Sequence, residues 1–193
     1  MRNLLGALAL AVVVLGIALA PPARAEDVAV PIGLQVDLLV KVAAYDKNLP
    51  PRAGDRVRLV ILTKAGNSES ARAAGQMEKA LAGKETIANL PHEDTVQPFS
   101  DAASLVRACK SKRLAIVYLA PGFSDEEIAS IAKALDGVDV LTASSVASFV
   151  PKGIVLGFDL VSGKPKLLIH LGQARRQRVD LSADVLKLMR VYE

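Results

Sequence analysis

The feature that most constrains the fold is an alternation of short apolar runs with amphipathic segments, which occupies most of the chain. Residues 57–62 and 114–119 are rich in β-branched and other apolar side chains, and Arg58 is their only charged residue. Runs of this length and composition predict strands buried on both faces of a sheet. Amphipathic segments of about 10–15 residues lie between the apolar runs, which indicates βαβ crossovers and a mainly parallel sheet.

The amphipathic segments have the spacing and the end signals of helices. Leu34, Leu38 and Val42 recur at helical spacing and predict a first helix over 33–46. The segment 48–51, with its two consecutive prolines, is expected to end that helix. The remaining predicted elements are a helix from Asn67 to Ala82, a strand at 94–99, a helix at 101–110, a helix opened by a Ser124–Glu127 capping box, and a strand at 138–142.

The C-terminal third changes pattern. Residues 154–161 and 165–171 are strand-like runs joined by a short turn around Gly163, and they predict a β-hairpin that adds an antiparallel edge to the sheet. Residues 174–179 and 182–191 predict two closing helices, the second capped by Ser182. The predicted fold is therefore a single-domain α/β layered sandwich: a mainly parallel sheet, a C-terminal antiparallel hairpin and flanking helices.

The N-terminus has the three parts of a secretory signal peptide. Arg2 supplies the basic start, residues 4–20 form an apolar stretch, and Ala23-Arg24-Ala25 is an A-x-A cleavage pattern. We predict a signal peptide over 1–25 and an exported domain over 26–193. An uncleaved membrane anchor is the alternative, because the apolar stretch is near the lower length limit for a membrane span. The prolines and the A-x-A pattern favour cleavage.

Composition weakens several classes of function. Removal of Arg2 and Arg24 with the signal peptide leaves 22 Lys and Arg against 20 Asp and Glu, so the formal net charge falls from +4 to +2. A charge this small does not indicate nucleic-acid binding without clustering. Aromatic residues are 4% of the chain and Trp is absent, which makes stacking sites for sugars or single-stranded nucleic acid less favoured.

The sequence lacks a recognisable catalytic or metal motif, so no enzyme activity and no cofactor are predicted. The segment 157–164 departs from a phosphate-binding loop in glycine spacing and joins two strands. His92 is interpreted as a solvated loop residue. His170 is expected to satisfy local hydrogen bonds, with a pH-sensing role as the alternative. Cys109, the only cysteine, is interpreted as a buried apolar residue, and an intermolecular disulfide stays open.

Several segments resemble the YfiR-like family of periplasmic proteins, and the resemblance covers nearly all of the predicted mature domain. The segments that carry it most clearly are DVLTAS at 139–144, GIVLGF at 153–158, GKPKLLIH at 163–170, Ala174-Arg175-Arg176, and LSADVLKL at 181–188. Three features depart from the family pattern. His170 replaces the usual Asn, Lys152 replaces the first Gly of a Gly-Gly pair, and Cys109 lacks the disulfide partners that some members have.

The resemblance implies a non-enzymatic periplasmic regulator. The relatives bind the periplasmic region of an inner-membrane diguanylate cyclase and hold it inactive, which controls cyclic di-GMP signalling and biofilm formation. The alternative membrane partner is a sensor kinase, and the sequence is also compatible with a homodimer. The alternative function is a periplasmic small-ligand receptor related to one lobe of a substrate-binding protein. The strand order would place its site near 64–67 and 120–123.

The candidate partner-binding surface is the hairpin and the segment after it. Its residues are Phe149, Phe158, Lys166, His170, Arg175 and Arg176. Two interpretations of this set remain open. The two phenylalanines are also expected in the core, and the arginines, with Arg178, are also expected on an ordinary solvated helix face.

Overall fold

The computed structural model describes residues 30–193, and the predicted signal peptide lies outside them. The strands are β1 Val57–Thr63, β2 His92–Pro98, β3 Leu114–Leu119, β4 Leu141–Ser144, β5 Leu156–Val161, β6 Lys164–His170 and β7 Met189–Tyr192. The helices are α1 Ile32–Ala44, α2 Leu49–Ala53, α3 Ser68–Leu81, α4 Ala102–Lys112, α5 Asp125–Ala134, α6 Leu171–Arg176 and α7 Ala183–Leu186, and a 3₁₀ helix spans Ala147–Lys152.

The strands of this described region form one seven-stranded sheet in the order β2-β1-β3-β4-β5-β6-β7. Neighbouring strands are parallel except for the antiparallel β5–β6 hairpin. The predicted α/β class, with a mainly parallel sheet and a C-terminal hairpin, is therefore confirmed. The carboxyl ends of β1, β3, β4 and β5 meet along one side of the sheet, which we call the carboxyl edge. The opposite side is the amino edge.

The sheet is covered on both faces, as its continuous apolar strands require. In β3, Ile116 and Tyr118 face a core shared with α1 and α3, while Val117 and Leu119 face a core shared with α4 and α5. All four side chains have no exposed surface. A strand whose alternate residues enter two different cores must be apolar throughout, which explains the unbroken run at 114–119.

The predicted helix starts hold in detail. Asn67 Oδ1 accepts a hydrogen bond from Ser70 N at 2.8 Å, so Asn67 caps α3. Ser124 and Glu127 exchange both hydrogen bonds of a capping box at the start of α5. Each of these pairs satisfies backbone donors that an uncapped helix would leave without a partner.

The prolines at 50 and 51 do not simply end α1. They occupy the first turn of the short helix α2. A proline fits there because the first turn needs no hydrogen bond from its nitrogen, and its fixed φ suits the helix. The chain therefore makes a helix-to-helix corner where the sequence predicted only a stop.

The hairpin has a two-residue turn. Val161 pairs with Lys164, and the residues between them, Ser162 and Gly163, have φ values of 53° and 73°. Positive φ at both central positions is typical of a type I′ turn, whose twist matches that of the flanking strands. The hairpin extends the sheet toward the C-terminus, but it is not the edge, because β7 pairs with the outer side of β6.

The prediction for the last residues was partly wrong. The predicted helix over 182–191 is the single turn α7 followed by the strand β7, and the Ser182 side chain makes no capping hydrogen bond. β7 runs parallel to β6, which places Met189 beside Leu167 in the core. Pairing with β6 satisfies the backbone and buries Met189, and a helix continued over this segment would give up that pairing.

A buried cluster of ion pairs and hydrogen bonds around Arg52 lies near the amino edge. Arg52 Nη1 lies 2.8 Å from Asp46 Oδ2, and Arg52 Nε lies 2.5 Å from Asp139 Oδ1. Arg52 Nη2 donates to the carbonyl of Arg178, and Asp46 Oδ1 accepts from the backbone N–H of Asp180. These bonds tie the α1–α2 corner to the segment just before β4 and to the C-terminal segment.

Candidate functional site

A cavity of about 530 Å³ opens at the carboxyl edge, between the helices α1 and α3 and the segment that follows β4. Its walls are the start of α1, one face of α3 with Glu69 and Arg72, the loop 145–148 after β4, and Phe158 with Asp159 of β5. Open α/β sheets bind ligands at the carboxyl ends of their strands, and small-molecule sites have volumes of about 300–1,000 Å³. The position and size therefore fit a small-ligand pocket.

A buried hydrogen-bonded pair anchors the wall formed by α1. The Tyr118 hydroxyl donates to Gln35 Oε1 at 2.7 Å, and Gln35 Nε2 donates to the carbonyl of Val30 at 2.7 Å. Tyr118 and Gln35 have no exposed surface, and burial raises the pKa of the Tyr118 phenol. This pair fixes the start of α1 against β3. The sequence contained one signal for it, a glutamine among the apolar positions of an amphipathic helix.

Ser145 supplies a polar atom without a partner at this cavity. Its Oγ is shielded from solvent, lies near the Tyr118 hydroxyl and makes no hydrogen bond within residues 30–193. Because Tyr118 donates its proton to Gln35, the Ser145 hydroxyl can approach Tyr118 only as a donor, and the acceptor lone pairs of Ser145 Oγ have no donor within the described residues. A buried hydroxyl without a partner is uncommon in folded proteins and indicates a group that a ligand or an ordered water can satisfy.

Three charged side chains line the same cavity. Glu69 and Arg72 lie one turn apart on α3, and Asp159 lies within β5, where its Oδ1 accepts a hydrogen bond from Leu160 N at 2.8 Å. Among the described residues these three form no ion pair with one another or with other side chains. Lys166, which is opposite Asp159 in the hairpin, instead donates to the carbonyl of Leu188 at 2.9 Å.

The predicted ligand loops do not form the cavity. Lys64 pairs with Glu127 at 2.5 Å, which lowers the pKa of Glu127, and Asn67 caps α3. These polar groups serve the structure of the carboxyl edge. Of the two predicted segments, only Pro121 lines the cavity, which lies nearer α1 and β5 than the sequence indicated.

The two phenylalanines of the predicted surface are in the core. Phe149 is 5% exposed and packs in the core beside α4 and α5, and Phe158 is 2% exposed and packs with α1 and α3. Burial supports the core interpretation of both residues and leaves little side-chain surface for a partner. Phe158 also contributes to the wall of the cavity.

His170 has a structural position. It is 8% exposed, and its Nδ1 accepts a hydrogen bond from Gln173 N at 3.2 Å, which caps α6. An accepting Nδ1 carries no proton. Burial and the nearby positive charge of Arg176 lower the pKa of His170, which favours the same neutral form.

Arg175 and Arg176 are both exposed on α6. Arg176 Nε donates to Asp136 Oδ1 at 2.9 Å, whereas Arg175 makes no side-chain hydrogen bond within residues 30–193. α6 lies at the amino edge, since it follows the antiparallel strand β6. Lys166 is half-buried and lies four residues before His170, about 13 Å away along the strand. The predicted surface is therefore divided, and Arg175 and Arg176 form its exposed part.

Cys109 and the potential metal ligands do not form a reactive site within the described residues. Cys109 is 5% exposed and burial raises its pKa to about 12, so its thiol is protonated at neutral pH and is a poor nucleophile. Within residues 30–193 no cluster of three or more His, Cys, Asp or Glu is placed to hold a metal ion.

The sequence predicted that His92 lies in a solvated loop, and this prediction is wrong. Its side chain is 8% exposed on β2, with Nδ1 3.0 Å from Asp94 Oδ1 and Nε2 2.9 Å from the carbonyl of Lys84. These contacts join β2 to the loop that precedes it.

Three solved structures have a similar fold. One is titled the ABC domain in complex with L-Trp from Streptococcus pneumonia: it is 11% identical with a TM-score of 0.57, over 84% of this chain and 62% of that one. A ligand-free, open substrate-binding protein with adhesive properties from Clostridium difficile is 6% identical with a TM-score of 0.58, over 76% and 58%. A conserved domain protein from Vibrio cholerae is 11% identical with a TM-score of 0.57, over 84% and 60%.

The chain spans less than two thirds of the length of each of these structures, so the likeness concerns the fold. No curated protein matches the sequence. The YfiR/HmsC-like family model (DUF4154) matches residues 33–190, nearly all of the described region. The chain therefore belongs to the YfiR/HmsC-like family, a family of periplasmic regulatory proteins, as the sequence segments indicated. No helix within residues 30–193 is long and apolar enough to cross a membrane.

Proposed function

We propose that this protein is an exported, non-enzymatic regulator that binds the periplasmic region of an inner-membrane diguanylate cyclase and holds the cyclase inactive. The observation that carries the proposal is membership of the YfiR/HmsC-like family over residues 33–190. The signal-peptide pattern at 1–25 supports export, and the protonated, buried Cys109 is consistent with a role without covalent chemistry. Cyclic di-GMP output would then respond to a protein outside the cytoplasm.

Such a regulator needs only a difference in affinity. To move the cyclase from mostly active to mostly inactive, it must bind the inactive form more tightly by about 5.5 kcal/mol. Binding of this kind requires an exposed, preorganised surface. It requires no reacting group on the regulator.

We place the partner contact on the exposed arginines at the amino edge. Arg175 and Arg178 are exposed and have no ion pair within the described residues, and the carbonyl of Arg178 is held by Arg52 and Asn48. The backbone beneath these guanidinium groups is therefore fixed. Unpaired guanidinium groups carried by a fixed backbone suit an acidic surface on the partner.

The test measures binding and signalling together. Arg175→Glu should weaken capture of the partner's periplasmic region and raise cellular cyclic di-GMP, because it replaces attraction with repulsion. Lys79→Glu, an exposed charge reversal on α3, is the matched control and should change neither. Equal binding by the Arg175 variant would exclude this face as the contact. Recovery of no membrane signalling protein by the wild type after mild crosslinking would refute the regulatory function.

A second candidate function, a small-ligand receptor, is favoured by the cavity at the carboxyl edge. The two functions are compatible in one molecule, because the cavity and the exposed arginines lie at opposite edges of the sheet. A thermal-shift screen of the isolated protein against amino acids, peptides and anions tests the receptor. A screen in which no compound raises the melting temperature would refute it.

A further inference from the structure

We propose that the cavity at the carboxyl edge binds a basic amino acid, with its α-amino and α-carboxylate groups at α3 and its side-chain cation at Asp159. This inference rests on the second candidate function, the small-ligand receptor. It does not depend on the identity of any partner protein.

The charges of the cavity determine the class of ligand. Its lining has two carboxylates, Glu69 and Asp159, and one guanidinium, Arg72, and none of the three has an ion pair within residues 30–193. A complementary ligand carries two cationic groups and one anionic group. Basic amino acids have this set of charges. A neutral amino acid lacks the side-chain cation, and a simple anion lacks both cationic groups.

The arrangement of the charges matches the order of groups in such a ligand. Glu69 and Arg72 are three residues apart on α3, so their side chains emerge from the same face, about 5–6 Å apart at Cβ. The α-amino and α-carboxylate groups of an amino acid are likewise adjacent. Asp159 comes from β5, a different wall of the cavity. Its Oδ1 accepts from Leu160 N, and its second carboxylate oxygen can meet a cation at the end of a long side chain.

Apolar residues line the space between these charged walls. Ala73 of α3, Val146 of the loop after β4 and Phe158 of β5 contribute to the lining. They suit the methylene stem of lysine, ornithine or arginine, because long cationic side chains pack their stems on apolar surface. Ser145 Oγ, which is buried and without a hydrogen-bond partner in the described residues, provides a further acceptor for an ammonium group.

The experiment compares three probes that differ by one charged group. Isothermal titration of the isolated domain 26–193 is carried out with L-lysine, with L-norleucine, which lacks the side-chain amine, and with cadaverine, which lacks the carboxylate. Lysine should bind, and each of the other two should bind at least about tenfold more weakly, since each omits one charge-assisted contact.

Variants assign each contact. Asp159→Asn should weaken lysine binding at least about tenfold and leave norleucine binding unchanged, because norleucine has no group for Asp159. Arg72→Gln should weaken lysine and leave cadaverine unchanged. Glu85→Gln and Lys79→Gln, which lie outside the cavity lining, are the matched controls. A purely structural effect of either variant would change the binding of all three probes together.

The outcomes separate this inference from the receptor function. Preferential binding of norleucine or glutamate would overturn the basic-amino-acid assignment and retain the receptor. A lysine affinity unchanged in both Asp159→Asn and Arg72→Gln would overturn the proposed site. Absence of binding by every compound of a broad panel would refute the receptor as well, and the cyclase test would then decide the regulatory function separately.

Discussion

Replacing Arg52 by methionine should reduce the free energy of unfolding by about 3–5 kcal/mol, because it leaves a buried charge without its partner. The Arg52 side chain is 2% exposed and that of Asp46 is 0% exposed, so the carboxylate of Asp46 cannot turn to water. Methionine keeps most of the side-chain volume, and the effect therefore measures the charge. For a domain of this size the melting temperature should fall by about 6–20 °C.

The structure predicts a graded series around this change. Asp139→Asn should lower the stability by less than about 1 kcal/mol, because the Asp139 side chain is 41% exposed and Arg52 keeps its bond to Asp46. Arg56→Met, at an exposed pair with Asp55, should have an effect of similar size. Urea unfolding followed by circular dichroism measures all three. If Arg52→Met were as stable as Arg56→Met, the argument from burial would be wrong.

Three further predictions concern stability and reactivity. The lowered pKa of His170 means that the unfolded chain binds more protons than the folded protein between about pH 5 and about pH 7, so stability should rise with pH in this range. His170→Asn should flatten that rise, and the Asn oxygen can still cap α6. An unchanged slope in urea titrations would contradict this. Cys109 should resist alkylation at neutral pH in the native protein and react in urea, and fast native labelling seen by mass spectrometry would contradict its burial. Gly157→Ala should destabilise the protein by about 1–3 kcal/mol, because the added Cβ would lie 2.3 Å from Val150 Cγ2. Gly75→Ala, whose Cβ meets no atom within 4 Å, should instead stabilise α3, and thermal melts of the two variants measure both effects.

Apart from α2, the order of strands and helices from α1 to α5 could be predicted because each has a local signal. The apolar run of β3 and the capping box of α5 each involve a few neighbouring residues, and the structure confirms both. The segment 182–191 carried an ambiguous signal, since its apolar spacing suits a helix. Its last residues form β7 because β6 offers an unpaired edge, and pairing with a distant strand is not visible in a local pattern.

The candidate site was harder to predict for the same reason. In the sequence Glu69 lies in the first turn of a predicted helix, where an acidic side chain is favourable, and no local signal places it in one cavity with Asp159, 90 positions later. The division of the predicted surface also depends on the strand direction, because the antiparallel hairpin places Arg175 at the amino edge and leaves Lys166 nearer the carboxyl edge. Contacts that bring together three or more secondary-structure elements can be identified only from the tertiary structure.

The ion cluster around Arg52 has a consequence for folding kinetics. Its bonds join residues separated by 87, 126 and 134 positions, so the loops that they close are among the longest that this chain can make. Closing long loops is entropically unfavourable, and such contacts tend to form late. We therefore expect loss of Arg52 to accelerate unfolding while leaving the folding rate nearly unchanged, which makes this cluster a determinant of how long the protein stays folded.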